Sequence, residues 1–235
     1  MKFKNIFLLL AFIAFAGCAS FTPLETNKIL HKSKPKFGYQ FAYSIPKSSE
    51  SKPPLLIFLH GSGERGEDLN RVSIHGPLRL IKEGRDLPFL IIAPQLEEDG
   101  NWNVQKLDET LAQIEKQFDF DRNRVYLTGL SRGGLGVWNW AMHSPNKFAA
   151  IAPIAGWSNV GDVCQLTQTP VWAFHGEKDD VVRIFHTEDM VKWLKECGGK
   201  PIFTRYENAN HDSWTKTYYN QEFYDWLLAQ SKPQK

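Results

Sequence analysis

Net charge is almost absent from this chain. Its 28 lysines and arginines stand against 26 aspartates and glutamates, a balance of +2. Setting aside Lys2 and Lys4 of the N-terminal stretch brings that to about zero, so neither nucleic acid nor an anionic membrane surface is expected as a partner. Cysteine is scarce. There are three residues, Cys18, Cys164 and Cys197, too few for a scaffold held together by disulfides. No His/Cys/Asp/Glu set has metal-ligand spacing, and neither G-x-x-x-x-G-K-[ST] nor G-x-G-x-x-G is present. No metal and no cofactor are therefore expected. Internal repeats, low-complexity tracts and blocks of like charge are also missing. The longest apolar run, Ile6–Ala16, is too short to cross a bilayer alone.

What is present suits one catalytic domain of ordinary composition. Residues 1–18 read as a leader: two lysines, the apolar run, then Phe15-Ala16-Gly17-Cys18. The pattern resembles a bacterial lipoprotein signal, with Phe15 where leucine is usual. It implies export to the periplasm or to an outer-membrane-anchored position, a lipidated Cys18 and membrane attachment through that anchor only. Residues 19–36 read as a polar tether and 37–230 as the catalytic domain. In an exported protein Cys164 and Cys197 are free to pair. They flank one strand–helix unit at the same sheet end, so a disulfide and two buried thiols are both open.

Short β-branched and aromatic runs alternate with helical patterns. Strands are expected at Tyr39–Ile45, Leu55–Leu59, Phe89–Ala93, Arg124–Thr128, Ala149–Ile154, Val171–His175 and Ile202–Tyr206. The middle runs are continuously hydrophobic, as parallel strands covered on both faces must be, whereas Tyr39–Ile45 alternates like an antiparallel edge. Helices are expected at 105–118, 131–142, 188–197 and about 217–229, the first carrying Leu107, Leu111, Ile114 and Phe118 on one face. This alternation implies a mostly parallel sheet in a three-layer α/β/α sandwich. The interval between the strands at 149–154 and 171–175 leaves no room for a lid domain.

The chemistry sits at three strand ends. RVYLT runs into Gly129-Leu130-Ser131-Arg132-Gly133-Gly134, a G-x-S-x-G between strand and helix, which presents a serine hydroxyl at a helix N-terminus. Serine needs a base, and His211, after the last strand, is the histidine placed to supply it. The loop Gly176-Glu177-Lys178-Asp179-Asp180 offers an acid, and the residues alone leave Asp179 and Asp180 both open. The Gly-rich stretch His60-Gly61-Ser62-Gly63-Glu64-Arg65-Gly66 follows an early strand. Its Ser62 N–H, with the N–H of Arg132, is expected to form the oxyanion hole. Trp102, beside Asn103, and Trp214 are candidates to line a substrate cleft.

In this order, LHGSGERG at 59–66, GLSRGG at 129–134, HGEKDDVV at 175–182 and NHDSW at 210–214 resemble the α/β-hydrolase serine esterases. The resemblance is to the exported branch related to polyhydroxybutyrate depolymerases, feruloyl esterases and dienelactone-hydrolase-like enzymes, and it spans roughly residues 37–228. It implies the triad Ser131, Asp179 and His211, and an ester of a small or carbohydrate-linked (acetyl or feruloyl) kind. Arg132 departs from the methionine or glutamine usual after the nucleophile, and its side chain is expected to pair with a nearby acid in preference to a carboxylate on the substrate. Rival readings are a prolyl-oligopeptidase-type peptidase, a phospholipase- or thioesterase-like hydrolase, and a non-catalytic binding module. Oligomeric state is not legible.

Overall fold

The computed structural model describes residues 30–31, 37–47 and 52–233. Among them, eight strands form one sheet in the order β1-β2-β4-β3-β5-β6-β7-β8. These are β1 (Leu30–His31), β2 (Phe41–Ser44), β3 (Pro54–Leu59), β4 (Leu90–Pro94), β5 (Asp121–Leu130), β6 (Ala150–Ile154), β7 (Trp172–Gly176) and β8 (Ile202–Tyr206). β1 and β2 run antiparallel to their neighbours, and every pairing from β4 to β8 is parallel. The expected α/β/α class with a mostly parallel sheet is what forms. One detail is corrected. β2 is antiparallel but is not the edge, because Leu30–His31, inside the stretch read as a tether, pairs with it. The leader and Cys18 lie outside the described residues.

The period-two geometry of strands explains the layers. Along β3, Leu55, Ile57 and Leu59 enter one hydrophobic core while Leu56 and Phe58 enter the other. The first core is completed by α2 (Val104–Gln117), α3 (Arg132–His143) and α4 (Phe185–Glu196), and the second by α1 (Gly76–Lys82), α5 (Trp214–Tyr219) and α6 (Gln221–Leu228). α2 starts where Asn103 caps it, its side chain accepting from Lys106 N–H at 2.9 Å. Leu107, Leu111 and Ile114 are then buried against the sheet.

The single helix expected near 217–229 is in fact two. Asn220 turns extended (φ −81°, ψ 122°), and its side chain caps α6 through Glu222 N–H at 3.0 Å. α4 begins three residues earlier than expected, at Phe185. Between β6 and β7 lies a 3-10 segment, Val160–Leu166, with no inserted domain. Cys164 on that segment is joined to Cys197 at the end of α4, with the Cα atoms 5.5 Å apart.

Candidate active site

Every parallel strand delivers its C-terminal end to one edge of the sheet, and four of those ends carry the candidate residues. β5 ends in the turn that carries Ser131. Ser131 is held at φ 53°, in the left-handed region that a non-glycine residue seldom adopts, and its N–H donates to the Ile154 carbonyl at 2.9 Å. The turn fits only because its neighbours lack side chains. A Cβ on Gly133 would sit 1.9 Å from the Leu59 carbonyl oxygen, and one on Gly129 would sit 2.7 Å from that same oxygen. Helix α3 starts at once, with Leu135 N–H donating to the Ser131 carbonyl as its first turn closes.

The structure brings Ser131, His211 and Asp179 into contact. Ser131 Oγ lies 2.9 Å from His211 Nε2, and His211 Nδ1 lies 2.7 Å from Asp179 Oδ2. A carboxylate only accepts, so Nδ1 carries the proton and Nε2 is left to accept from the serine hydroxyl. The loops after β7 and β8 are locked together. Lys178 N–H donates to the Ala209 carbonyl at 2.9 Å, and a Cβ on Gly176 would lie 2.2 Å from the Asn210 carbonyl oxygen. Asp179 is buried, and its Oδ1 accepts from the N–H groups of Val181 and Val182, both at 2.9 Å. Asp180 is exposed. That difference separates two neighbours which the residues alone left equivalent.

A second histidine joins the group. His175, fully buried at the end of β7, places Nε2 3.1 Å from Asp179 Oδ2 and 2.7 Å from the Val182 carbonyl. Both are acceptors, so this nitrogen carries a proton, while Nδ1 meets Thr187 Oγ1 at 2.8 Å. Burial lowers its pKa below the ordinary histidine value. His175 is the first residue of the HGEKDDVV segment at 175–182. Its position as an inward-facing strand end was the available signal.

The loop after β3 forms a short 3-10 turn over Ser62–Glu64. Beneath it His60 is fully buried, and its Nε2 accepts from Leu96 N–H at 3.0 Å. Its Nδ1 must then carry the proton and donate to the Gly61 carbonyl at 2.7 Å. Burial, the dominant cause, lowers the His60 pKa to about 4, so the ring is neutral. This bond holds the peptide whose N–H belongs to Ser62. Gln95 Nε2 also donates to the Glu64 carbonyl, and Arg65 Nε to the Ser62 carbonyl at 3.0 Å.

Three further residues need placing. Trp102 is a core residue and not a cleft wall. It is buried with its ring edge-on to Tyr39 and His60, and its Nε1 donates to the His60 carbonyl at 3.3 Å. Its size and flatness, the features that suggested a ligand, serve packing. Trp214 is half-buried and stands edge-on to His211, with centroids 5.0 Å apart. Its ring also meets His75, whose Nε2 is 3.5 Å from the buried Glu64 carboxylate. The Arg132 side chain meets no acid among the described residues. It donates from Nε to Ser62 Oγ at 2.7 Å, and from Nη1 to the Gly100 carbonyl at 3.0 Å and to Asn101 Oδ1. The expected ion pair is corrected accordingly, since the nearest partners are neutral acceptors on two loops.

The family model described as phospholipase/carboxylesterase matches residues 92–222. The bifunctional acetylxylan esterase/xylanase XynS20E of Neocallimastix patriciarum is 27% identical over 169 residues, covering 69% of this chain and 24% of its own length. Among solved structures, a thermostable esterase shares 32% identity at a TM-score of 0.70, with 81% of this chain and 59% of that chain covered. A phospholipase/carboxylesterase from Dyadobacter fermentans DSM 18053 superposes at a TM-score of 0.60 and 17% identity, with 84% and 100% of the two chains covered. The chain thus spans about a quarter of the fungal protein and under two thirds of the thermostable esterase.

Proposed function

The chain belongs to the phospholipase/carboxylesterase family of α/β-hydrolases, and from that premise we propose that it is a serine carboxylesterase with Ser131 as nucleophile. The observation that carries the reading is the continuous bond path from Ser131 Oγ through His211 to Asp179 Oδ2, at 2.9 and 2.7 Å.

In this reading His211 Nε2 takes the hydroxyl proton as Ser131 Oγ attacks the ester carbonyl. Asp179 keeps the ring in the tautomer that can do so and stabilises the imidazolium. The carbonyl oxygen, now negative, is met by the N–H groups of Arg132 and Ser62 and by the N-terminal end of α3. As the tetrahedral intermediate collapses, His211 returns the proton to the departing alcohol and an acyl-serine remains. Water, activated by the same imidazole, then releases the acid. No step calls on a cofactor.

The proposed substrate is a small or carbohydrate-linked ester. Two observations support it: the sequence similarity to the fungal acetylxylan esterase/xylanase, and the short β6–β7 connection, which carries no lid domain for a lipid chain to enter under. An exported enzyme held to a membrane by lipid on Cys18 agrees with such a substrate. That part rests on the leader sequence. The substrate class is tested by measuring kcat/KM on acetylated xylo-oligosaccharides, methyl ferulate, p-nitrophenyl octanoate and a long-chain phospholipid. The expected ranking puts an acetyl or feruloyl sugar ester first. A preference for octanoate or phospholipid overturns the carbohydrate assignment and leaves the esterase reading standing.

A further inference from the structure

We propose that the Arg132 side chain is a positioning residue that couples the two halves of the oxyanion hole. The inference rests on the Ser131 reading above and adds a role for a side chain which that reading does not use.

The two donors come from separate segments. Arg132 N–H belongs to the first residue of α3, while Ser62 N–H belongs to the loop after β3. Both must face one oxygen at about 2.7–3.1 Å, and displacements of a fraction of an ångström weaken such donors. The end of β3 is already fixed against the nucleophile turn, because Gly133 is packed directly on the Leu59 carbonyl. Ser62 lies beyond that contact, exposed, beside a Gly63 with open space around its Cα. The His60 bond to the Gly61 carbonyl and the Arg65 bond to the Ser62 carbonyl order this loop internally, but neither ties it to the residue after the serine.

Arg132 bridges the two. Its backbone supplies one proposed donor, and its side chain reaches across to the residue that supplies the other, Nε bonding Ser62 Oγ at 2.7 Å. The far end of the planar guanidinium is anchored on Gly100 and Asn101. Bonded at both ends, the guanidinium spans the two loops, and the planar shape of the group is what permits the bridge. A methionine here could make none of these bonds, and a glutamine could not reach both loops in one plane.

The test uses the full chain with Arg132→Met, Arg132→Gln, Ser62→Ala and the Arg132→Met/Ser62→Ala double variant. Each is assayed on p-nitrophenyl acetate, and against a trifluoromethyl ketone that forms a tetrahedral oxyanion adduct with the serine. Arg132→Met should lower kcat about tenfold, less than deleting a donor outright, with KM unchanged within about twofold. Affinity for the ketone should fall by the same factor as kcat/KM. Ser62→Ala should lose a similar factor, the double variant should lose no more than either single, and guanidinium ion should restore part of the Arg132→Met rate. Wild-type kcat in both Arg132 variants, a loss confined to KM, or multiplying losses in the double variant would overturn the proposal alone. A wild-type chain that hydrolyses no ester would remove the Ser131 reading and this one with it.

Discussion

Two adjacent aspartates with different surroundings give the sharpest prediction at the scale of single residues. Asp179 is buried and bonded to His211, and Asp180 is exposed. Asp179→Asn should therefore lower kcat by about 10⁴, the cost of the wrong imidazole tautomer, without a comparable loss of stability. Asp180→Asn, an exposed change, should stay within about twofold. Steady-state kinetics on p-nitrophenyl acetate decides between them, and equal losses would mean that the acid has been misassigned. His60 gives a pH dependence. Its pKa falls from an ordinary 6.5 to about 4 on folding. Between those values the unfolded chain binds more protons than the folded one, so stability is fully present above pH 6.5 and is lost as pH drops toward 4. The full effect is about 3 kcal/mol. Urea midpoints measured from pH 7 to 4 should fall in the wild type and fall less in His60→Asn. The serine, the acid-bearing loop and the loop carrying His211 were legible because G-x-S-x-G and the loop order are sequence-local. The choice between Asp179 and Asp180 came only with the family resemblance and not from the residues themselves, since it is made by Val181 and Val182 N–H groups folding back onto one carboxylate. The buried place of Trp102 was also hidden, because a tryptophan in the core and one in a cleft read alike.

At the scale of elements, most strands were read to within two residues of their ends, because parallel central strands are unbroken apolar runs; β5 was not, since it begins three residues before the expected Arg124, on the polar Asp121-Arg122-Asn123. Ile202–Tyr206 needed no revision. The helices were less legible where they are short. α1 has only seven residues, too few for a periodic stripe, and the α5–α6 break depends on one residue, Asn220. That break is testable. Asn220→Ala removes the α6 cap and should cost about 1 kcal/mol with activity unchanged, read from urea denaturation beside an ester assay. Gly133→Ala should behave oppositely. Its Cβ has no room against Leu59, so it should cost about 3 kcal/mol and displace the nucleophile turn, lowering activity even in the folded fraction. A Gly133→Ala protein with wild-type stability and rate would contradict the close approach of α3 to β3.

At the scale of the whole molecule, eight strands and six helices among the described residues bring the ends of β3, β5, β7 and β8 to one edge. The Cys164–Cys197 link closes a loop of 33 residues around β7 and α4, the unit that carries Asp179. Reducing it should lower stability by about 3 kcal/mol, through the freedom regained by the unfolded chain, and should leave the acyl-transfer rate of the folded enzyme intact. Thermal melts with and without reductant check this. All of these predictions depend on the serine. Hydrolysis of p-nitrophenyl acetate by the wild type and by Ser131→Ala, side by side, tests that claim most directly. The account predicts turnover by the wild type and a loss of about 10⁴-fold or more in the variant, with both proteins melting at the same temperature. Equal rates, or no hydrolysis by either, would contradict it.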